Sequence, residues 1–266
     1  MRIGVTGSAG FVGRHVVRAA RVAGHTVYEY DRANDPPIEL YGIAPSNLAT
    51  LDAVIHCAAY ADISRNWESH DERARLYADN IDATISLLEA MPPDARLVFA
   101  STAAVLAGPL SPYVASKVAG EALVAAYAHR RGTVWPVVRL ASCVGSGYHH
   151  GHIADFVRMA RATGRITPLS SGLRANPFVH VRDAAEALVR AAEAIAPAPV
   201  THVAADVWSW RDTVALMRMA GISCEVASCD REAGWIGDPI GLDIPRDYAT
   251  RYAVADGVRH AIEGLR

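Results

Sequence analysis

The chain has 266 residues, of which 51% are hydrophobic and 20% charged, with a net charge of −2. That composition suits a globular protein built as one large domain, or as a large domain with a smaller one inserted into it. No basic tract or aromatic-basic stripe is present, and no apolar run approaches the ~20 residues that cross a bilayer, so neither nucleic acid nor membrane is expected as a partner.

From the amino end, RIGVT (2–6) predicts a strand and GFVGRHVVRAARVAG (10–24) a helix with apolar residues at helical spacing. TVYEYD (26–31) and DAVIHCA (52–58) predict two more strands. Between them, the three prolines of 32–51 allow at most one short strand, around Ile38 to Tyr41. DERARLYADNIDATISLLEAM (71–91) predicts one long amphipathic helix, stopped by Pro92 and Pro93. ARLVFAS (95–101), YVASKVAGEALVAAYAHRR (113–131) and TVWPVVRL (133–140) continue as strand, helix and strand. The pattern then loosens, returns as a strand and helix in FVHVRDAAEALVRAAEAIA (178–196) and a strand in VTHVAAD (200–206), and closes with a helix in YAVADGVRHAIEGL (252–265). Alternation of this kind predicts an α/β fold, a doubly wound parallel sheet with helices on both faces. The expected division is a nucleotide-binding domain of 1–145 with 176–206, and a small interleaved substrate-binding region of 146–175 with 207–266.

The opening MRIGVTGSAG enters a motif with no room for a signal peptide, which favours a cytoplasmic protein. Of the four cysteines, Cys224 and Cys229 lie close together, at no common zinc spacing. A disulfide between them and free thiols in a reducing compartment are both open, the latter favoured.

Gly7, Gly10 and Gly13 lie between the first strand and the first helix, where glycines permit a tight turn and close approach of backbone to a pyrophosphate. Phe11 and Val12 begin that helix, whose amino end offers unpaired N–H groups to phosphates. Asp31 ends the second strand, placed to accept the ribose hydroxyls of an adenosine and to repel a 2′-phosphate, which favours NAD. Arg32 follows directly and keeps NADP open as the alternative.

Lys117 is the only lysine in the chain; arginine fills every other such position. Tyr113 stands four residues earlier, one helical turn away. An ammonium beside a phenol lowers its pKa toward a useful base, and a compact ammonium reaches a ribose hydroxyl better than a planar guanidinium does. Thr102 or Ser101, at the carboxyl edge of a central strand, would hold the substrate oxygen, with Thr102 preferred. In the loop SGYHHGH, His149, His150 and His152 have no paired carboxylate beside them, so substrate contact or a solvated loop is expected there and no metal.

Together TGSAGFVG, DAVIHCAA, Asn80, VFASTAAV, PYVASKVAGE, VVRL, FVHVRDAAEAL and the tail ADGVRHAIEGL resemble the extended short-chain dehydrogenase/reductase family of NAD-dependent sugar epimerases and dehydratases. The resemblance implies a Rossmann fold and a Thr102–Tyr113–Lys117 triad. Cofactor contacts would come from Gly7, Gly10, Gly13, Asp31, Ala58, Ala59 and Lys117. It also implies a homodimer formed through the helices at 71–91 and 113–131. Three departures bear on the substrate. Sugar dehydratases carry an Asp-Glu pair after the threonine, whereas this chain has Ala103 and Ala104, which argues against elimination of water. Ser142 stands where nucleotide-sugar enzymes often carry asparagine. Asn176 replaces an arginine, with Arg174 displaced toward the loop. His150, Ser142, Arg174 and Asn176 are the candidate substrate contacts. The expected activity is epimerisation of a sugar or nucleotide sugar by reversible hydride transfer. The alternatives are a sugar or uronate dehydrogenase, a keto-reductase, and, with less support from the intact Tyr–Lys pair, a non-catalytic dinucleotide sensor.

Overall fold

The computed structural model describes residues 1–34, 36–61, 69–108, 111–149, 151–168, 175–227 and 245–265. The first half alternates as the periodicity predicts: β1 (Arg2–Thr6), α1 (Phe11–Val22), β2 (Thr26–Tyr30) and β3 (Ala53–His56). No strand forms at Ile38–Tyr41. Leu40 and Ile43 instead tuck under the sheet beside Leu48 and Leu51, buried by a turn-rich segment in which Pro36, Pro37 and Pro45 withhold the amides that a ladder needs.

The predicted single helix of 71–91 is interrupted. α2 (His70–Tyr77) and α3 (Ala83–Ala90) flank a π-helical turn, Ala78–Asp82, which accommodates an extra residue and buries Asn80. Next come β4 (Arg96–Thr102), a 3-10 turn at Ala103–Ala107, α4 (Pro112–Arg130) and β5 (Val137–Leu140). α4 begins cleanly because the Ser111 hydroxyl accepts from the Val114 amide and Pro112 occupies the first turn.

Beyond β5 come β6 (Ser142–Val144), α5 (Gly151–Thr163), β7 (Arg165–Ile166) and β8 (Ala175–His180). They are followed by α6 (Val181–Glu193), β9 (Val200–Val203), β10 (Asp206–Ser209), α7 (Trp210–Met219), β11 (Glu225–Val226) and α8 (Val254–Gly264).

Six parallel strands form the main sheet in the order β2-β1-β3-β4-β5-β9. Its two faces are covered separately. Ile3, Val5, Ile55 and Val98 pack with Val16 of α1 and Leu188 of α6, while Val54, Leu97 and Phe99 pack with Leu87 of α3 and Val124 of α4. Neighbouring residues of one strand thus serve opposite faces, which is why these strands read as continuous apolar runs. Strand order reverses between β1 and its neighbours β2 and β3, and open sheets of this kind hold ligands at the carboxyl ends beside such a reversal.

β8 joins β6 and β10 in a separate three-stranded sheet, although α6, which follows it, returns to pack on α1. A third core of Val144, Phe156, Phe178, Met217, Val258 and Ile262 lies beneath this small sheet. Among the described residues no helix is long and apolar enough to cross a membrane.

Candidate functional site

At the reversal point, β1 runs into Gly7, whose φ of +67° only glycine adopts without strain. Its amide donates to Tyr30 O at 2.8 Å, and the Gly10 amide donates to Gly7 O at 3.0 Å. Gly13 is pressed against this turn: a Cβ there would lie 1.9 Å from Gly7 O. The loop also abuts the end of β3, for a Cβ on Gly7 would lie 2.7 Å from the backbone of Ala58, with Ala59 following. Phe11, Val12 and Gly13 supply the first-turn amides that an α-helix leaves without internal partners. Ser8 Oγ is buried here with no hydrogen-bond partner among the described residues. The Asp31 carboxylate reaches back to accept from Ala9 N at 3.0 Å and from Ala33 N at 2.9 Å. Free amides, an orphaned hydroxyl and an acid at the end of β2 fit the pyrophosphate and ribose of a dinucleotide.

Gly13→Ala tests this cradle. Its methyl meets backbone oxygen, which no rotamer can relieve, so the expected result is a loss of about 2–4 kcal/mol in stability and at least tenfold in NAD affinity. Thermal denaturation and calorimetric titration read the two effects.

Tyr113 lies in the first turn of α4 and Lys117 one turn on. Lys117 is only 4% exposed; its Nζ donates to Ala100 O at 2.9 Å and sits 4.9 Å from the Phe99 ring centre and 6.0 Å from that of Tyr113. Burial lowers its pKa to about 8, with Cys57 and Glu121 opposing. Tyr113 departs from expectation, since burial pushes its hydroxyl up rather than down. The ammonium is engaged by Ala100 O and stacked on Phe99, and a dry setting disfavours phenolate.

Of the two candidate hydroxyls, Ser101 is already committed, donating to Glu121 Oε1 at 2.5 Å while Glu121 also receives the Arg139 guanidinium. Thr102 ends β4, and its Oγ1 accepts from Ala104 N at 3.3 Å, which leaves its own proton to donate. α4 packs on β4 and on the 3-10 turn after Thr102, so Thr102, Tyr113 and Lys117 share one strand-end region. Burial raises the thiols of Cys57 and Cys143 to about 12, so neither is a nucleophile at neutral pH.

The sequence reading missed a buried polar chain that ties this region to the glycine loop. Thr84 Oγ1 donates to Asn80 O at 2.7 Å, so the His56 Nε2 3.0 Å from it must be the donor of that pair. His56 Nδ1 is then an acceptor, taking the Thr6 hydroxyl proton at 2.6 Å, while Thr6 Oγ1 accepts from Ala58 N at 3.3 Å. From Asn80 the chain continues through Nδ2 to Ser116 Oγ at 2.9 Å, and Ser116 donates to Tyr113 O at 2.7 Å. The Asn80 amide also pairs with both backbone groups of Tyr60. A histidine inside the apolar strand AVIH was the available signal.

Burial, helped by the charge of Lys117, lowers the pKa of His56 to about 3. The unfolded chain takes up this proton below about 6.5, the folded chain only below about 3. The contribution is complete above pH 6.5 and is lost as pH falls from there to 3. Denaturant titrations at several pH values should show that loss in the native protein and a smaller one in His56→Gln.

Of the candidate substrate contacts, Ser142 and Asn176 fall on the small sheet. Ser142, exposed on β6, faces Phe178 of β8, and Asn176 of β8 faces Trp208 of β10. His149 Nδ1 lies 2.8 Å from Gly147 O, and the His152 ring meets Phe156 and Phe178 edge-on. His150, Arg174 and Cys229 lie outside the described residues; among the described residues Cys57, Cys143 and Cys224 are free thiols. Among the described residues no three His, Cys, Asp or Glu side chains are grouped so as to hold a metal.

Residues 3–204 match the NAD dependent epimerase/dehydratase family. A UDP-glucuronate 4-epimerase of Thermodesulfobacterium geofontis is 29% identical over 228 residues, covering 70% of this chain and 69% of that protein. The crystal structure of a UDP-galactose 4-epimerase superposes with a TM-score of 0.78 at 26% identity, covering all of this chain and 98% of the other. The Bacillus cereus UDP-glucuronic acid 4-epimerase, solved with UDP-glucuronic acid and NAD, shares the fold at a TM-score of 0.84 and 20% identity, covering 100% and 99% of the two chains.

Proposed function

The chain belongs to the NAD dependent epimerase/dehydratase family, and from that premise we propose that it is an NAD-dependent epimerase of a nucleotide sugar. One observation carries the reading: the sole lysine is buried one turn from Tyr113, at the strand ends beside the glycine loop. Gly7, Gly10, Phe11, Val12 and Gly13 would hold the pyrophosphate, Asp31 the adenosine ribose, and Ala58, Ala59 and Lys117 the nicotinamide half. When bound, NAD accepts a hydride from the sugar carbon and can return it to the opposite face. Tyr113 takes the proton of the hydroxyl on that carbon and later gives it back. Thr102 donates a hydrogen bond to the same oxygen and holds it in line. Lys117 would supply a hydrogen bond to a ribose hydroxyl and part of the positive charge that, together with the nicotinamide cation, favours phenolate. Ala103 and Ala104 offer no acid/base group, so removal of water is not part of the cycle.

Ser142 and Asn176 are neutral where a diphosphate calls for cations, and this favours a second reading, oxidation of a free sugar or uronic acid. Incubation with UDP- and dTDP-sugars, without added cofactor, tests the first reading by the appearance of the epimer. NADH release from free uronic acids or aldoses with added NAD would instead establish a dehydrogenase.

The exposed Tyr77 and Val118, on the faces of α2 and α4, support a homodimer through these helices, which light scattering tests. The free thiols support a cytoplasmic setting.

A further inference from the structure

Arg32 is the residue that kept NADP open in the sequence, and its surroundings give it another role. Its side chain is 48% exposed, yet three of its nitrogens are engaged. Nη1 and Nη2 donate to the two oxygens of Asp79 at 3.0 and 2.6 Å, and Nε donates to Glu39 Oε2 at 2.6 Å. Asp79 is the better buried partner, 15% exposed, and it belongs to the π-helical turn. Next to it, Asn80 pins that turn through its amide to the backbone of Tyr60 and to Ser116. The carboxylate facing Arg32 is therefore carried on a braced element. Arg75, one turn earlier, reaches the same carboxylate at 3.7 Å.

A paired, planar guanidinium gripped at both ends has no fork left to offer a phosphate. An incoming 2′-phosphate would have to displace two carboxylates and would meet their charge as well as that of Asp31. We infer that Asp79, with Glu39, is a specificity determinant: it withholds Arg32 from the 2′-position of the adenosine ribose, so that the chain takes NAD and rejects NADP. Arg32 then acts as a clasp between the end of β2 and the π turn, closing the adenosine end without touching a 2′-phosphate. The inference rests on the reading that the dinucleotide lies on the loop from Gly7 to Gly13.

Calorimetric titration with 5′-AMP, 2′,5′-ADP and NAD⁺ separates the possibilities, because the two short nucleotides differ only at the 2′-position. Asp31 stays in every variant and contributes the same repulsion throughout. In the wild type, Arg32→Ala should leave 2′,5′-ADP affinity within about twofold, since the guanidinium makes no phosphate contact. In Asp79→Asn combined with Glu39→Gln, the freed arginine should raise 2′,5′-ADP affinity about tenfold or more, with 5′-AMP nearly unchanged. Adding Arg32→Ala to that variant should abolish the gain. A fivefold loss of 2′,5′-ADP affinity on Arg32→Ala alone overturns the inference, and this arm needs no change at Asp79. So does an Asp79→Asn, Glu39→Gln protein that still binds NAD⁺ and shows no gain. A wild-type protein that binds no NAD⁺ overturns the dinucleotide reading itself, and this inference with it.

Discussion

Lys117→Arg is expected to give a folded protein whose NAD affinity is weakened and whose turnover falls by about a hundredfold or more. The substitution keeps the charge, so simple electrostatics would predict little change. Geometry decides otherwise. The ammonium occupies a closed niche, bonded to Ala100 O at 2.9 Å and stacked on Phe99, and the helix approaches so closely that a Cβ on Gly120 would lie 2.5 Å from the same ring. A guanidinium is wider and planar, and forcing it into a filled niche costs about 1–3 kcal/mol. Its fork also cannot bond Ala100 O and approach a ribose hydroxyl and Tyr113 from the point where one nitrogen now stands. A melting curve separates folding from function, and NAD titration with turnover completes the measurement. Wild-type turnover in this variant would refute the role given to the lysine. The pH profile supplies a second reading. Lys117 carries its proton below about pH 8, so native activity should decline as pH rises through that value. The residual activity of the arginine variant should lack the decline, because a guanidinium stays charged.

Tyr113→Phe should separate the steps differently: NAD affinity nearly unchanged, turnover reduced by about 10²–10⁴-fold, and the substrate still bound. Only one oxygen is removed, from a ring whose position is fixed by α4 and by the hydrogen bond from Ser116 to the Tyr113 carbonyl. Burial holds the Tyr113 hydroxyl above its ordinary range in the protein alone, so it is a poor base until further positive charge arrives beside it. Its ultraviolet ionisation should therefore move to lower pH when NAD⁺ is added, a shift that the phenylalanine variant cannot show. Turnover within threefold of the wild type would remove Tyr113 from the mechanism.

Much of this architecture was readable because parallel strands covered on both faces must be apolar throughout, and RIGVT, AVIH and RLVFAST are nearly so. The glycine loop was readable for a related reason: steric demands at Gly7 and Gly13 admit no other residue. Strands of three or four residues, such as Ser142–Val144 and Asp206–Ser209, are too brief to show a period, and their partners are distant in sequence. The π turn left no mark either, since one extra residue in an amphipathic helix changes its register and not its composition. Asp79 and His56 act through partners 47 and 50 residues away, and such pairings exist only once the sheet has formed. Thr102 was preferred over Ser101 from its place in the sequence, but the commitment of Ser101 to Glu121 is a reason that no local pattern supplies.

A chain with one lysine is also a chain with one lysine resonance. Protein grown on lysine labelled with ¹³C at the ε-carbon alone would present a single side-chain signal, from the buried Nζ-bearing methylene of Lys117, free of overlap and without any substitution. Its chemical shift would follow protonation directly across pH 8, and would register separately the arrival of dinucleotide and of each sugar tried. The lone lysine thus doubles as an isotopic reporter set at the centre of the reaction, native in every atom.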